Sequence, residues 1–245
     1  CEIYNSSCSL ELNNLSMVNK GVIINPDFDI DMDTCPKWAY LLLAEGDNKY
    51  IEITVDKNMG EITTTLNKVE GSELENYLPE QLPPDLDPDN FKYLLYDDTI
   101  FLCGSTGGSN LVLYTFNLED GKKAGDDCSS SYDWLEYSTQ IPFRKDFGFI
   151  KYKVGSESNP TDCFYIIGGR NNQNKPLSQI YIINIENIGN SDIGYELIHH
   201  SPWPLDSPIL LKKARYNFGC IIWNDFIFVM GGIVKEGGDF VATDS

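Results

Sequence analysis

The sequence lacks any apolar run approaching the roughly 18 residues that cross a bilayer as a helix, and it is poor in basic residues and histidine. Only 18 lysines and arginines stand against 37 acidic residues, and histidine occurs twice in 245 residues. A net charge of −19 leaves no basic stripe to replace the counterions of a phosphate backbone. We therefore expect no membrane span and no nucleic-acid partner. The acidity is consistent with a basic protein partner, a cation or solubility alone.

Cysteine is also sparse, at seven residues, and these form neither a C-x-x-C motif nor a cluster with histidine. This usage excludes a disulfide-rich scaffold and a structural zinc site. Formal glycosylation acceptors at Asn5 and Asn14 lie beside Cys1 and Cys8, and the sequence does not start with methionine. These features predict an extracellular or secreted glycoprotein that carries a disulfide, with a cytoplasmic protein as the alternative.

The sequence does contain a repeat, which is the first pattern to look for in a new chain. The pattern R-x-x-F-G occurs at 144–148 and again at 215–219. Each copy is followed by an apolar run that ends in a glycine pair, at 168–169 and at 231–232. The repeat unit is therefore about 60 residues long, and its parts occur in the same order in both copies.

Two further segments have the same parts at a similar spacing. The stretch 113–119 resembles 180–186, and it follows an apolar run, 100–104, that ends in a single glycine. A fainter copy covers 40–56. The runs are short, rich in Ile, Val, Phe and Tyr, and bounded by Gly, Asn and Asp, which is typical of β-strands. We predict an all-β fold of four-stranded antiparallel units at about 21–75, 91–140, 144–200 and 215–245, the last partial, after an N-terminal extension at 1–20.

These residues resemble kelch repeats. The resemblance lies in the doubled glycine that ends the second strand, the tyrosine of the third strand, and a tryptophan before a Pro-x-Arg step, and it is clear from about 98 to 232. It implies a β-propeller, in which each four-stranded unit is one blade. The residues that carry it are Gly104, Trp134, Arg144, Gly148, Gly168, Gly169, Tyr181, Arg215, Gly219, Gly231 and Gly232.

About four units fall short of the five to seven blades that kelch propellers usually have, and a propeller must close to protect its edge strands. The sequence therefore predicts an incomplete propeller. We expect the remaining blades to come from downstream sequence or from another chain.

Two acidic runs are candidate calcium sites, because oxygen ligands at every second residue suit Ca²⁺. Neither run has the glycine and glutamate of an EF-hand, and the alternative is a solvated acidic loop. No other cofactor is expected. The candidate ligands are Asp27, Asp29, Asp31 and Asp33 in the first run, and Asp85, Asp87 and Asp89 in the second.

Catalytic motifs are missing from the sequence. His199 and His200 are adjacent, so in a strand they point to opposite faces and do not share a metal. Some kelch propellers are copper-radical oxidases, which need two separated histidines. Nucleophile-elbow, zincin and P-loop motifs are absent as well. We predict that the chain is not an enzyme, and a copper-radical oxidase is the least favoured alternative.

Arg144 and Arg215 have two interpretations. In kelch repeats this arginine commonly ties neighbouring blades together through polar contacts. The alternative is that both face a central channel and capture an acidic group through a bidentate fork.

The order of the strands makes one disulfide possible. In a meander blade the loops after strands 1 and 3 emerge on the same face. Cys128, in a 3–4 loop, can therefore meet Cys163 of the next blade. Cys103 and Cys220 are expected to be buried thiols.

Taken together, these patterns predict a non-catalytic protein-interaction scaffold, and the alternative is a secreted carbohydrate- or matrix-binding adhesin. Function on such a framework lies in its loops. The padded loops where we expect a partner to bind are 68–90, 120–132, 155–161, 187–195 and 201–211.

Overall fold

A computed structural model describes the fold of eleven stretches of the chain. These are residues 21–24, 37–44, 46–55, 62–72, 74–75, 78–118, 134–156, 159–188, 195–197, 210–223 and 226–243. In these stretches the regular structure is β-strand, apart from one 3-10 turn at Ile185–Asn187. The predicted all-β class is confirmed. None of the described segments forms a helix of the length and apolarity that crossing a membrane requires.

The first two sheets are four-stranded antiparallel meanders in which each strand pairs with its neighbour in sequence. Tight turns favour this order: β5 and β6 pair as far as Tyr96 and Thr99, which leaves only Asp97 and Asp98 in the turn. Sheet 1 contains β1 (Gly21–Ile24), β2 (Lys37–Leu42), β3 (Lys49–Val55) and β4 (Ile62–Lys68), and sheet 2 contains β5 (Phe91–Tyr96), β6 (Thr99–Ser105), β7 (Asn110–Asn117) and β8 (Leu135–Pro142).

The third sheet repeats this topology, and the fourth region departs from it. We call the β14–β15 hairpin sheet 4; a separate three-stranded sheet in the order β13-β16-β17 lies next to it in sequence. Sheet 3 contains β9 (Gly148–Ser156), β10 (Asn159–Ile167), β11 (Ile180–Asn184) and β12 (Tyr195–Leu197), and the remaining strands are β13 (Arg215–Tyr216), β14 (Gly219–Trp223), β15 (Phe226–Met230), β16 (Ile233–Glu236) and β17 (Asp239–Ala242).

The core consists of three apolar layers, each between two consecutive sheets. Leu41 of sheet 1 packs in one cluster with Leu102 of sheet 2. Phe101, on the other face of β6, packs with Phe164 of sheet 3, with ring centroids 4.7 Å apart. Tyr165, on the opposite face of β10 from Phe164, packs in the layer that sheet 4 completes. Because sheets 2 and 3 bury both faces, their central strands are almost continuously apolar.

The order of the sheets is also visible in their first strands, which are neighbours: β1 lies beside β5, β5 beside β9, and β9 beside β14. No sheet in the described part of the chain closes on itself. The sequence units and the sheets fall in the same stretches of the chain, since each of the first three units contains one four-stranded sheet.

The segment 68–90, which we expected to be an open binding loop, instead contributes to the core in its described part. Leu78, Leu82 and Leu86 are buried in the layer between sheets 1 and 2. Asn48, itself fully buried, donates from Nδ2 to the carbonyl of Pro79 at 2.9 Å. A padded stretch of sequence thus folds inward because its leucines fill the space between two sheets.

Candidate functional site

Most of the residues that carry the repeat meet at one end of sheets 3 and 4, where each first strand begins and each second strand ends. We call this the glycine-pair end, formed by residues 144–148, 168–176, 213–219 and 231–236. Gly148 is the first residue of β9 and Gly219 the first of β14. The register pairs Gly148 with Ile167 and Gly219 with Met230. This register brings the R-x-x-F-G segment beside the glycine pair in both copies.

Two buried arginines hold this end in the same way. Arg144 Nη1 donates to the carbonyl of Gly168 at 3.0 Å, and Arg215 Nη1 donates to that of Gly231 at 2.9 Å. Each Nε also faces the carbonyl two residues earlier, that of Pro142 at 3.2 Å for Arg144. Arg144 lies over the ring of Tyr181, 4.4 Å from its centroid. Both arginines therefore bind the protein's own backbone, and the channel-facing alternative does not describe Arg144, which is only 1% exposed.

The second glycine of each pair occupies equivalent surroundings. Gly169 has φ +94° and Gly232 has φ +95°, a region that side chains disfavour. A Cβ on Gly169 would lie 2.8 Å from the carbonyl oxygen of Lys145 and 3.0 Å from the Cβ of Phe147. A Cβ on Gly232 would lie 2.8 Å from both the carbonyl oxygen of Tyr216 and the Cβ of Phe218. The second glycine of each pair is therefore required by the close approach of the R-x-x-F-G segment.

Charged side chains project from this fixed backbone. Lys145 Nζ lies 3.2 Å from Asp87 Oδ2, and Arg170 Nε donates to Asp146 Oδ2 at 2.6 Å. The guanidinium of Arg170 also lies 5.0 Å from the ring centroid of Tyr216. These groups are partly exposed, with about a third of each paired side chain accessible. They are accessible charged groups beside a backbone that the two buried arginines hold.

The opposite end of sheets 2 and 3 carries a different polar cluster. Tyr96 donates from its hydroxyl to Asp162 Oδ2 at 2.6 Å, and Lys151 Nζ lies 3.3 Å from the same oxygen. The hydrogen bond to Asp162, followed by burial, raises the pKa of Tyr96 to about 12. The same bond lowers the pKa of Asp162. Neither group titrates near neutral pH, where general acid–base catalysis is most effective. The cluster therefore links sheet 2 to sheet 3 through a hydrogen bond and an ion pair.

Of the three described thiols, Cys103 and Cys163 are buried, and Cys220, which we also expected to be buried, is only partly so. Burial raises the pKa of Cys103 to about 12 and also raises the pKa of Cys220. A thiol in this state is a poor nucleophile, because the thiolate is the reactive form. The described part of the chain contains no disulfide. Cys163 is a buried thiol in β10, and Cys128 lies outside the described residues, so the proposed bridge between them stays a prediction.

The candidate calcium ligands are only partly described. Asp27, Asp29, Asp31 and Asp33 lie outside the described residues, as do His199 and His200. Asp87 accepts the backbone N–H of Asp89 at 3.0 Å as well as facing Lys145. In the described stretches no three acidic, histidine or cysteine side chains come together as metal ligands, and this includes Asp85, Asp87 and Asp89.

The remaining repeat residues occupy the core and its margins. Gly104 lies in β6 and Tyr181 in β11. Trp134 packs against Phe116, with ring centroids 5.4 Å apart, and donates from Nε1 to the carbonyl of Gln81 at 2.8 Å. Sequence reasoning missed Asn90, whose side chain donates to the carbonyl of Arg144 at 3.2 Å. No repeat motif marked it, because the R-x-x-F-G pattern does not occur before β5.

The fold and this site define a class: an all-β protein built from consecutive antiparallel meanders that bury their faces against one another. Comparison with known proteins adds no narrower assignment, because no protein-family model and no curated protein matches the chain.

Proposed function

We propose that the chain forms part of a kelch-like β-propeller and acts as a non-catalytic scaffold that binds a protein partner at its glycine-pair end. One observation carries the binding role. Arg144 and Arg215 fix the backbone at this end from within, while Lys213 is exposed beside them and Lys145 and Arg170 are partly exposed. A rigid frame that presents exposed polar groups is typical of binding surfaces on propeller-like folds.

The apolar surface of sheet 4 supports the propeller. Phe226, Phe228 and Met230 of β15 are 68%, 39% and 49% exposed. The positions equivalent to them in β10, one repeat earlier, are Cys163, Tyr165 and Ile167, which are buried in the layer next to sheet 4. The same face of the repeat is thus covered in sheet 3 and uncovered in sheet 4. We propose that a further sheet of the same kind covers it, since large exposed apolar patches mark surfaces that bind protein.

The chemistry of the described polar groups supports binding over catalysis. The pKa values of Tyr96 and Cys103 are raised away from neutral, and that of Asp162 is lowered. An enzyme usually shifts such groups toward the pH at which it works. Tyr96 and Asp162 instead link sheets 2 and 3 through a hydrogen bond, and Cys103 is part of the apolar layer between these sheets.

Cross-linking with mass spectrometry tests the binding role. The chain is purified with its co-isolating partner from the source cells and treated with an amine-reactive cross-linker. We expect partner cross-links at Lys145, Lys175 and Lys213 of the glycine-pair end. Lys153, at the other end of β9, serves as the internal control. Cross-links that favour Lys153, or that spread equally over both ends, would contradict the proposal.

A further inference from the structure

The outer edge of β15 has no neighbouring strand in the described part of the chain. In sheets 1 to 3 the second strand lies between the first and the third, whereas β15 pairs with β14 and with no other described strand. Every second residue of a strand directs its N–H and C=O groups to the same side, so this edge presents backbone groups that a further strand could pair with. The five residues Phe226–Met230 include no charged residue and no proline, which usually protect an edge from pairing.

The apolar layer beside this edge is incompletely covered. Leu113 and Thr115 of β7, on the face toward sheet 3, are both buried. The equivalent residues of β11 are Ile180 and Ile182, which face sheet 4 and are only partly buried. On the other face of β11, Ile183 is fully buried against sheet 2. The uncovered side of β11 therefore lies where a third strand of sheet 4 would pack.

The third strands of sheets 2 and 3 share a sequence pattern that fits this position. Residues 113–117 and 180–184 both have Leu or Ile, then Tyr, any residue, Phe or Ile, and Asn. Both tyrosines, Tyr114 and Tyr181, are buried against the preceding sheet. In the 245-residue sequence the pattern occurs at these two places only, and both strands already have a neighbour on each side. A second copy of this chain therefore offers no free strand with the pattern.

The register of sheet 3 indicates where the tyrosine of an added strand would lie. Tyr181 pairs with Ile166 of β10, and Val229 is the equivalent residue of β15, because each lies two residues before its glycine pair. Arg144 lies over the ring of Tyr181, 4.4 Å from its centroid, and Arg215 is the equivalent arginine. A tyrosine opposite Val229 would therefore lie beside Arg215 and pack against sheet 3.

We propose that β15 binds an extended polypeptide segment with this pattern, which adds to sheet 4 as an antiparallel third strand. The segment is supplied by the polypeptide that forms the covering sheet of the proposed function, and the inference rests on that part of it. Main-chain hydrogen bonds give affinity in strand addition, and contacts of alternate side chains give specificity. The tyrosine and the second apolar residue after it are the side chains that face sheet 3.

Fluorescence anisotropy and hydrogen exchange test this proposal on the 245-residue chain. The probe is a fluorescein-labelled peptide with the sequence of residues 178–186, and a scrambled peptide of the same composition is the comparison. We expect the probe to bind and to slow amide exchange in Phe226–Met230, as measured by mass spectrometry. Absence of binding, equal binding of the scrambled peptide, or protection that omits β15 overturns the proposal. Protection of β15 in a dimer without peptide also overturns it, because a second copy then occupies the edge.

Peptide variants test the register. In the added strand Tyr181 and Ile183 of the peptide face sheet 3, whereas Ile180 and Ile182 face the open side of sheet 4. A peptide with Tyr181→Lys and Ile183→Lys is expected to bind at least about tenfold more weakly, because two charges enter an apolar layer. The matched peptide with Ile180→Lys and Ile182→Lys carries the same charge and should lose less than about threefold in affinity. Equal losses contradict the proposed register.

The outcome is separable from the binding role of the glycine-pair end. If partner cross-links concentrate at that end but the probe does not protect β15, the binding role stands and the strand-addition proposal fails. If the probe protects β15 while partner cross-links favour Lys153, strand addition stands and the binding role fails.

Discussion

Arg144 donates to the carbonyl of Gly168 from a position that is 1% exposed, and no carboxylate in the described part of the chain is its partner. Its charge is held by backbone carbonyls and by the ring of Tyr181. One repeat later Arg215 makes the same contact with Gly231. The buried arginine is therefore a part of the repeat that joins the start of the first strand to the end of the second.

The first prediction concerns this arginine. Arg144→Ala leaves the carbonyl of Gly168 without its donor and opens a cavity, and we expect a loss of about 3 kcal/mol in the free energy of unfolding. Arg170→Ala removes an arginine from a partly exposed pair, which is worth about 1 kcal/mol or less. Urea unfolding of both variants measures the difference. Equal losses would show that the buried contact contributes little.

The second prediction concerns the glycine pair. Gly107 has φ +80° with open space around it, whereas Gly169 has a similar φ and close neighbours. Gly107→Ala is therefore expected to cost about 1–2 kcal/mol from backbone conformation alone. Gly169→Ala should cost about 1–3 kcal/mol more, because its methyl group meets the carbonyl of Lys145. Similar unfolding free energies for the two variants would rule out the close approach.

The third prediction concerns pH. Because the pKa of Asp162 is lowered mainly by the hydrogen bond from Tyr96, its contribution to stability is present above the usual aspartate pKa of about 3.9 and is lost as the pH falls through the lower folded value. Tyr96→Phe should make the free energy of unfolding less dependent on pH over this acid range. The half-buried Tyr137 supplies the control Tyr137→Phe, which should keep the dependence of the parent.

At alkaline pH the free energy of unfolding is expected to change in the opposite direction, because stability is lost as the pH rises. The pKa of Tyr96 is raised to about 12, so its contribution is complete below the usual tyrosine value of about 10 and is lost between about 10 and 12. Tyr96→Phe should remove this part of the alkaline loss. Profiles of the variant and the parent that run parallel over both ranges would contradict the tie between Tyr96 and Asp162.

The fourth prediction compares the two faces of sheet 4. Phe226 is 68% exposed, whereas its neighbour Ile227 points to the opposite face and packs in the layer with sheet 3. In the 245-residue chain, Phe226→Ser is expected to change the free energy of unfolding by less than about 0.5 kcal/mol. Ile227→Ser should cost about 2–4 kcal/mol. Urea unfolding measures the stability of both variants. Comparable losses in the free energy of unfolding would show that Phe226 is packed in a covered layer.

The repeat could be predicted because its signals are local. Alternating or continuous apolar runs depend on strand geometry, so β6, β10 and β15 were recognisable from the sequence. The burial of Arg144 was not predicted: the kelch resemblance favoured a polar contact between neighbouring blades, whereas Arg144 donates to Gly168 of its own unit. The tie between Tyr96 and Asp162 was not predictable, because these residues belong to different sheets and neither lies in a repeated motif.

The segment 68–90 shows a second limit. The sequence analysis treated it as a padded loop, and its leucines are too widely spaced to indicate a strand. Their burial depends on the space between sheets 1 and 2. The local sequence of the segment does not indicate that this space exists.

The sequence by itself determined that the chain forms antiparallel strands in units of about 60 residues, because strand periodicity, turn residues and glycine pairs act over short distances. Only the tertiary structure decided which faces are covered and which charges meet. Phe226 and Cys163 occupy equivalent positions in the repeat, yet one is exposed and the other buried. Lys145 and Asp87 meet because packing between sheets 2 and 3 brings distant parts of the chain together.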